Sequence, residues 1–281
     1  MASPTAEDRV SLIILGLSTP FATDPVVKRW LQLQDAFKTT WEFILCQPAD
    51  ENQVRCDSIQ DNIHVLHFPK ETGAAEMLTE AVQRSQYPLV LVADAQINPT
   101  RAEVHSMFGA LPLLNEITGE QVSVVSTRRR GIALPKWKKR RKYLWSIWLR
   151  IVFGYWASPP AAWYGPEYEQ LKRKIRWMFS VHFFDPFSPL KLFRRTVLEK
   201  MSFQSFGPFL WAELLAKANF LGCTMDEIDL SAPLTAWQGG DVNADLWKLF
   251  RQPKFRSPIP LLVDQNAKPS PTQELAEPVP E

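Results

Sequence analysis

An apolar run that ends on an acid is the first place in this chain where chemistry is legible. Tyr87–Pro99 reads YPLVLVADAQINP, with Asp94 closing the run and a proline-containing loop after it. Val and Leu in succession, without alternation, describe a parallel strand covered on both faces. In open α/β sheets the binding crevice lies outside the carboxyl ends of the strands, so an acid just past such a strand faces a ligand. The same residue also suits a helix cap, because Asp is a favoured N-cap and a helical pattern begins near Glu103. Local pattern gives the two readings equal weight. His64, His67, His105 and His182 are scattered and offer no metal or triad spacing. Cys46, Cys56 and Cys223 show no metal spacing either and read as free thiols in a reducing compartment.

The elements that would carry Asp94 alternate along the amino-terminal half. Val10–Leu17, Trp41–Cys46, Ile63–Phe68, Pro88–Ala93 and Gln121–Ser126 read as strands. Between them, Pro25–Phe37, Gly73–Arg84 and Glu103–Ile117 have helical spacing, with Pro112 expected to bend or divide the third. Asp24 before Pro25 is a strong helix start. Gln47–Gln53 reads as a polar loop. Strands separated by helices imply right-handed crossovers and a parallel sheet, so the expected class is α/β. Further on, Phe206–Gly222 reads as an amphipathic helix closed by Gly222, and Thr224–Leu230 as an edge strand. Trp237–Asp245 is a polar loop of the kind that closes over a ligand, and the tail from Asp264 has a disordered composition.

Charge is unevenly spread. The formal net charge is +2, from 32 Lys and Arg against 30 Asp and Glu. Arg128–Trp156 holds 10 of those cations and no acid, which leaves the remainder at 22 − 30, or −8. Pro135–Trp156, PKWKKRRKYLWSIWLRIVFGYW, is basic first and aromatic and aliphatic after. A helix with Lys and Arg on one side and Trp on the other suits a membrane interface. An ordinary buried helix with a basic linker, and a single-stranded nucleic-acid groove, are the second and third readings, and no nucleic acid is expected as partner. Tyr164–Phe179 repeats the basic and aromatic character. The amino terminus has no secretory pattern, and no uninterrupted apolar run of membrane-spanning length occurs.

Taken in order, these features resemble the family 2 glycosyltransferases of the GT-A fold, closest in layout to the dolichol-phosphate mannosyltransferase branch. VSLIILGL resembles the opening strand, WEFILCQPADEN the second strand and its loop, and ETGAAEMLTEAVQRSQ the Gly-led helix. LVLVADAQINP resembles the strand that ends in the Asp-x-Asp motif, with Gln96 in the second acid position. VVSTRRRG, FFDPFSPLKLFRRTVLEKM and FGPFLWAELLAKANFLGCTMDEIDL complete the match over Val10–Phe250.

The resemblance implies a GT-A-like, Rossmann-related, mostly parallel sheet flanked by helices, with an added basic-aromatic helical region. It divides the chain into a flexible terminus (1–8), a nucleotide-sugar-binding half (9–127), an acceptor half with interface helices (128–263) and a disordered tail (264–281). It implies transfer of a hexose from a nucleotide sugar near the cytoplasmic face of an anionic membrane, with a lipid phosphate among the acceptors. Mg²⁺ or Mn²⁺ would be held by Asp94 and Gln96. Diphosphate or acceptor phosphate would be met by Arg128, Arg195 and Lys70, while Arg129 and Arg130 read as solvated loop residues. Asp185 would shape the acceptor side near Arg194 and Arg195, and Glu213 is the candidate base, with a solvated helix acid as its plainer reading. The degenerate acid pair leaves an alternative: a domain that kept the fold, lost turnover and serves as a membrane-associated scaffold.

Overall fold

The computed structural model describes residues 9–17, 24–37, 39–50, 53–111, 122–130, 166–233 and 242–256. In chain order they form β1 (Arg9–Leu15), α1 (Pro25–Asp35), β2 (Thr40–Ala49), β3 (Arg55–Gln60), β4 (Ile63–Pro69), α2 (Ala74–Arg84), β5 (Leu89–Asp94) and α3 (Arg101–Ala110). There follow β6 (Val124–Arg130), α4 (Pro166–Phe179), β7 (Leu190–Arg194), α5 (Arg195–Glu199), α6 (Leu210–Phe220), β8 (Met225–Pro233) and α7 (Val242–Arg251). The basic-aromatic stretch 135–156, the tail and the part of the 237–245 loop before Val242 lie outside the described residues. Val242–Asp245 is not loop but the first turn of α7.

Among the described residues one sheet of 8 strands runs in the order β3-β4-β2-β1-β5-β7-β6-β8. β1 pairs in parallel with β2 and β5, β2 with β4, and β6 with β8. The sheet is mostly parallel, as expected, with two antiparallel strands. β7 runs antiparallel between β5 and β6, and β3 is antiparallel to β4. Asp61 and Asn62 turn β3 into β4 as a two-residue hairpin, a turn chemistry that favours such reversals. β2 also runs on through Ala49, into the stretch that reads as a polar loop, because β4 offers it a partner out to Pro69.

The sheet buries both faces. Val10, Leu12 and Ile14 of β1 join Val27, Trp30, Val104 and Met107 of α1 and α3 on one side. Ile13 and Leu15 join residues of α2, α4, α6 and α7 on the other. This is why β5 reads as an unbroken apolar run up to Asp94 and β1 as one broken only by Ser11. The helix starts follow local chemistry. Asp24 accepts from the Val26 amide at 2.8 Å and caps α1, as its position before Pro25 suggests. α3 begins at Arg101, two residues before Glu103, because Thr100 and Glu103 form a reciprocal capping box. The end of α6 is set by Gly222 at φ 70°, where the Cys223 amide reaches Ala218 O and the Gly222 amide reaches Asn219 O. α6 is shorter than the pattern suggests, and it is buried on all sides instead of amphipathic, from Leu210 through Ala218.

Candidate functional site

Strand order reverses between β1 and β5. β2 and β4 extend from one side of β1, while β5 lies on the other, so the carboxyl ends of β1 and β5 form a topological switch point. Asp94 is the last residue of β5 and pairs in register with Leu15. Its backbone is pinned from both neighbours. The Asp94 amide donates to Pro189 O at 3.0 Å, and the Ala95 amide donates to Leu15 O at 2.9 Å. Gly16, at φ 75°, then turns the chain away from the end of β1.

The Asp94 carboxylate is half-buried and accepts the Gln96 amide at 2.8 Å, closing a local turn. It caps no helix, since Thr100 does that work for α3. Of the two readings that the sequence leaves open, the strand-end acid stands and the cap is excluded. Burial raises the Asp94 carboxyl above its ordinary range; the Gln96 amide and the Arg129 charge pull it the other way without cancelling the rise.

Beyond Asp94 lies a buried ionic network that sequence patterning did not suggest. Arg129 is buried, not solvated. Its Nε and Nη2 donate to the two oxygens of the fully buried Asp185 at 2.8 and 3.1 Å, a bidentate pair, and its backbone amide donates to the same carboxylate at 3.1 Å. Tyr168 of α4 donates its hydroxyl to Asp185 as well. Burial opposes the Arg129 charge, and the bonds and charge of Asp185 outweigh it, so the guanidinium is held above its ordinary range. Glu227 of β8 accepts the amides of Phe184 and Asp185 at 2.9 and 3.0 Å, which fixes the turn that presents Asp185. Burial raises the Glu227 carboxyl, against the pull of those amides and Lys191.

Lys191, the second residue of β7, is fully buried and donates to Ser126 Oγ at 2.8 Å. Burial pulls its ammonium down to about 7, against the attraction of Asp185 and Glu227. The folded value therefore lies below the ordinary 10.5. Between the two values the unfolded chain holds a proton that the folded chain does not, so this lysine makes folding more favourable as pH rises. Below the lower value both states are protonated and the cost of the buried charge applies in full. The stability of the wild type relative to Lys191→Met should rise from pH 7 toward pH 10, by up to about 1.4 kcal/mol per pH unit. Denaturant unfolding of both proteins across that range measures it, and a flat difference contradicts it.

Other expected site residues fall in different places. Arg128 stands at the carboxyl end of β6, half-exposed, paired with Asp229 and over the Phe184 ring at 5.0 Å. Lys70 is exposed just past β4 and pairs with Asp50 at 2.5 Å. Gln96 is exposed in the turn after Asp94. Arg195 is at the wrong end of the sheet for a phosphate near Asp94. Arg194 registers with Leu89 at the start of β5, the Arg195 amide donates to Pro88 O, and its side chain pairs with Glu199. Asp185 is accordingly not beside Arg194 and Arg195 but bound to Arg129. The antiparallel run of β7 separates them by its own length.

Glu213 is neither a solvated acid nor a free base. It is fully buried in α6, and its carboxylate takes the Gln204 and Ser205 amides at 2.8 Å each, the Ser205 hydroxyl, and Lys217 Nζ at 2.6 Å. It anchors the 202–206 loop to α6. Lys191 and Glu227 carried a usable signal: a lone Lys between apolar neighbours in LKLF, and an acid-rich DEID in an edge strand. Arg129 carried none beyond membership of an RRR run.

Among the described residues no cluster of three or more His, Cys, Asp or Glu side chains is arranged to hold a metal. Asp94 contributes one carboxylate. A hard divalent cation that arrives with a diphosphate takes most of its oxygens from phosphate and water and needs only one or two protein carboxylates, so this donor set fits that mode and no dedicated cage.

No protein-family model matches the chain, and no curated protein matches it. Solved structures do match. Glucosyl-3-phosphoglycerate synthase from Mycobacterium tuberculosis in complex with UDP is 16% identical, over 88% of this chain and 81% of that one, with a TM-score of 0.55. The same enzyme with Mg²⁺ and UDP is 15% identical over 90% and 82%, with a TM-score of 0.51. A further crystal structure of it is 15% identical over 87% and 77%, at 0.50. At such identities the likeness is one of architecture, and that architecture is the GT-A fold.

Proposed function

We propose that the chain transfers a hexosyl group from a nucleoside diphosphate sugar to a phosphate-bearing acceptor. The observation that carries this reading is a half-buried carboxylate, Asp94, held at the switch point of a GT-A sheet. Cleavage of a sugar–phosphate bond leaves negative charge on the diphosphate, which must be met where it develops. Mg²⁺ or Mn²⁺, held by Asp94 with Gln96 beside it, would supply that charge as a Lewis acid. Arg128 adds a cation at the adjoining end of β6. Arg129, Asp185, Tyr168 and Glu227 form the rigid wall behind it, and none of the four has to move for the site to exist.

The state of the acids bears on the acceptor. An uncharged hydroxyl acceptor calls for a general base. Asp185 is fully engaged by Arg129 and Tyr168, and Glu213 is enclosed by four donors. An acceptor phosphate brings its own anionic nucleophile and needs cations instead. A lipid-linked phosphate, as the dolichol-phosphate mannosyltransferase resemblance implies, meets that requirement, with stretch 135–156 docking at the cytoplasmic face of a membrane.

The second reading is a scaffold that keeps the fold without turnover. It is favoured by Gln96, which leaves a single carboxylate at the site. Titration of Mn²⁺ with UDP separates the two. A metal-dependent rise in melting temperature, about 2.7 kcal/mol of stabilisation at one hundred times Kd, is expected of the enzyme. Absence of any rise at saturating concentrations selects the scaffold. In a transfer assay, polyprenyl phosphate should accept sugar and unphosphorylated polyprenol should not.

A further inference from the structure

Three helices end together on the side of the sheet that carries α2. Phe179 at the end of α4 meets Phe220 of α6 at 5.9 Å and Phe250 of α7 at 6.1 Å between ring centres. Phe220 meets Phe255 at 6.4 Å, and Trp247 meets Phe250 at 6.0 Å. The inner faces of these helices are accounted for. Tyr168, Leu171 and Ile175 of α4 and Val242, Leu246 and Leu249 of α7 are in the core. What remains outside is unusually apolar: Trp177 is 80% exposed, Trp247 45%, Phe250 43% and Phe220 37%. Scattered surface apolar residues are ordinary, but contiguous rings such as Phe220, Phe250 and Trp247, joined through Phe179, signal an interaction site, and Trp177 on α4 adds exposed apolar bulk.

The acids of these two helices, Glu167, Glu169 and Asp245, stand in their first turns, and toward the carboxyl ends the charges have one sign. From Gln170 to Ser180 the chain carries Lys172, Arg173, Lys174 and Arg176 and no acid; from Leu246 to Arg256 it carries Lys248, Arg251, Lys254 and Arg256 and no acid. A second copy of the same face would bring like charges together. Single-stranded nucleic acid needs open ring faces for stacking. Here the rings meet edge to face, with interplanar angles of 72 to 80° within the Phe179–Phe250, Phe220–Phe255 and Trp247–Phe250 pairs, and Arg251 lies over Trp247 at 5.8 Å. An anionic lipid surface requires only apolar bulk, amphipathic Trp and surrounding cations.

We infer that the outer face of α4 and α7, with the aromatic cluster at their carboxyl ends, is a docking surface for an anionic membrane. It lies away from the crevice. α6 leads through Gly222 to the start of β8, the end of the parallel strands opposite Asp94. The surface can therefore be occupied while the crevice stays open. The inference does not depend on the sugar-transfer reading.

Flotation of the full chain with vesicles tests it. Wild type should float with a phosphatidylcholine–phosphatidylserine mixture, not with phosphatidylcholine alone, and high salt should release it. Trp177→Ala/Trp247→Ala should weaken flotation, and Lys248→Glu/Arg251→Glu should weaken it about fivefold or more per cation. Lys138→Glu/Lys139→Glu/Arg140→Glu/Arg141→Glu, in the other basic stretch, should leave a component that these two variants abolish. Flotation equal to wild type in both patch variants overturns the inference. So does loss of oligonucleotide binding, or of dimerisation, in variants that still float. The UDP-dependent melting shift should persist in the patch variants, so that a failure here is distinguishable from a failure of the transfer reading.

Discussion

Arg129→Met should lower the melting temperature by on the order of 10 °C. The substitution keeps length and apolar bulk but leaves Asp185, fully buried, without its bidentate partner. Breaking one side of a buried pair costs about 3–5 kcal/mol, because the remaining charge is desolvated and uncompensated. For a chain of this size each kcal/mol moves the melting point by about 2–4 °C. Arg129→Lys should recover only part of the loss, since one ammonium cannot serve both carboxylate oxygens and Phe187 O as the guanidinium does. Arg129→Met/Asp185→Leu should be more stable than the single variant, because the pair is then removed whole. Thermal unfolding followed by circular dichroism reads all three. A fall of less than about 2 °C for Arg129→Met would show that the pair is no keystone of this wall.

Asp94→Asn should remove the metal-dependent UDP shift and reduce turnover by about a thousandfold, the equivalent of several kcal/mol of charge stabilisation. The fold should survive, because the Asn side chain can still accept the Gln96 amide that closes the turn. In the wild type, the raised Asp94 carboxyl means that protons compete with metal above the ordinary aspartate range. Metal-dependent binding should therefore fade on acidification earlier than an unperturbed aspartate would allow, and Asp94→Asn should lack that pH dependence. Gln96→Asp is the converse test. A second carboxylate should tighten Mn²⁺ binding about tenfold, consistent with the charge dependence of hard-cation sites. Calorimetric titration of Mn²⁺ in the presence of UDP measures both. Wild-type affinity in Asp94→Asn would remove Asp94 from the site.

Much of the frame follows from the chain alone. The apolar runs at Val10–Leu15 and Leu89–Ala93, the cap at Asp24 before Pro25 and the stop at Gly222 are local signals, because they depend on residues a few positions apart. The acid at the end of β5 is legible for the same reason: strand periodicity says where it stops, and strand ends are where α/β sheets open.

The identity of the residues around that acid is another matter. RRRG offers three arginines in a row, and nothing local says that the middle one turns inward to Asp185, 56 positions away. Arg195 and Asp185 are close in sequence, yet β7 runs against its neighbours and carries them to opposite ends of the sheet. Glu213 sits in a helix whose sequence reads as amphipathic, and only the packing of α6 in the core, with the 202–206 loop laid across it, turns a surface acid into a buried anchor. Local pattern is enough for the alternation of elements and for the acid that ends the fourth of the expected strands. Strand order and direction come only from the folded chain. Those depend on non-local pairing, and they determine which charges are brought together and buried, where a missing partner costs several times what it costs in water.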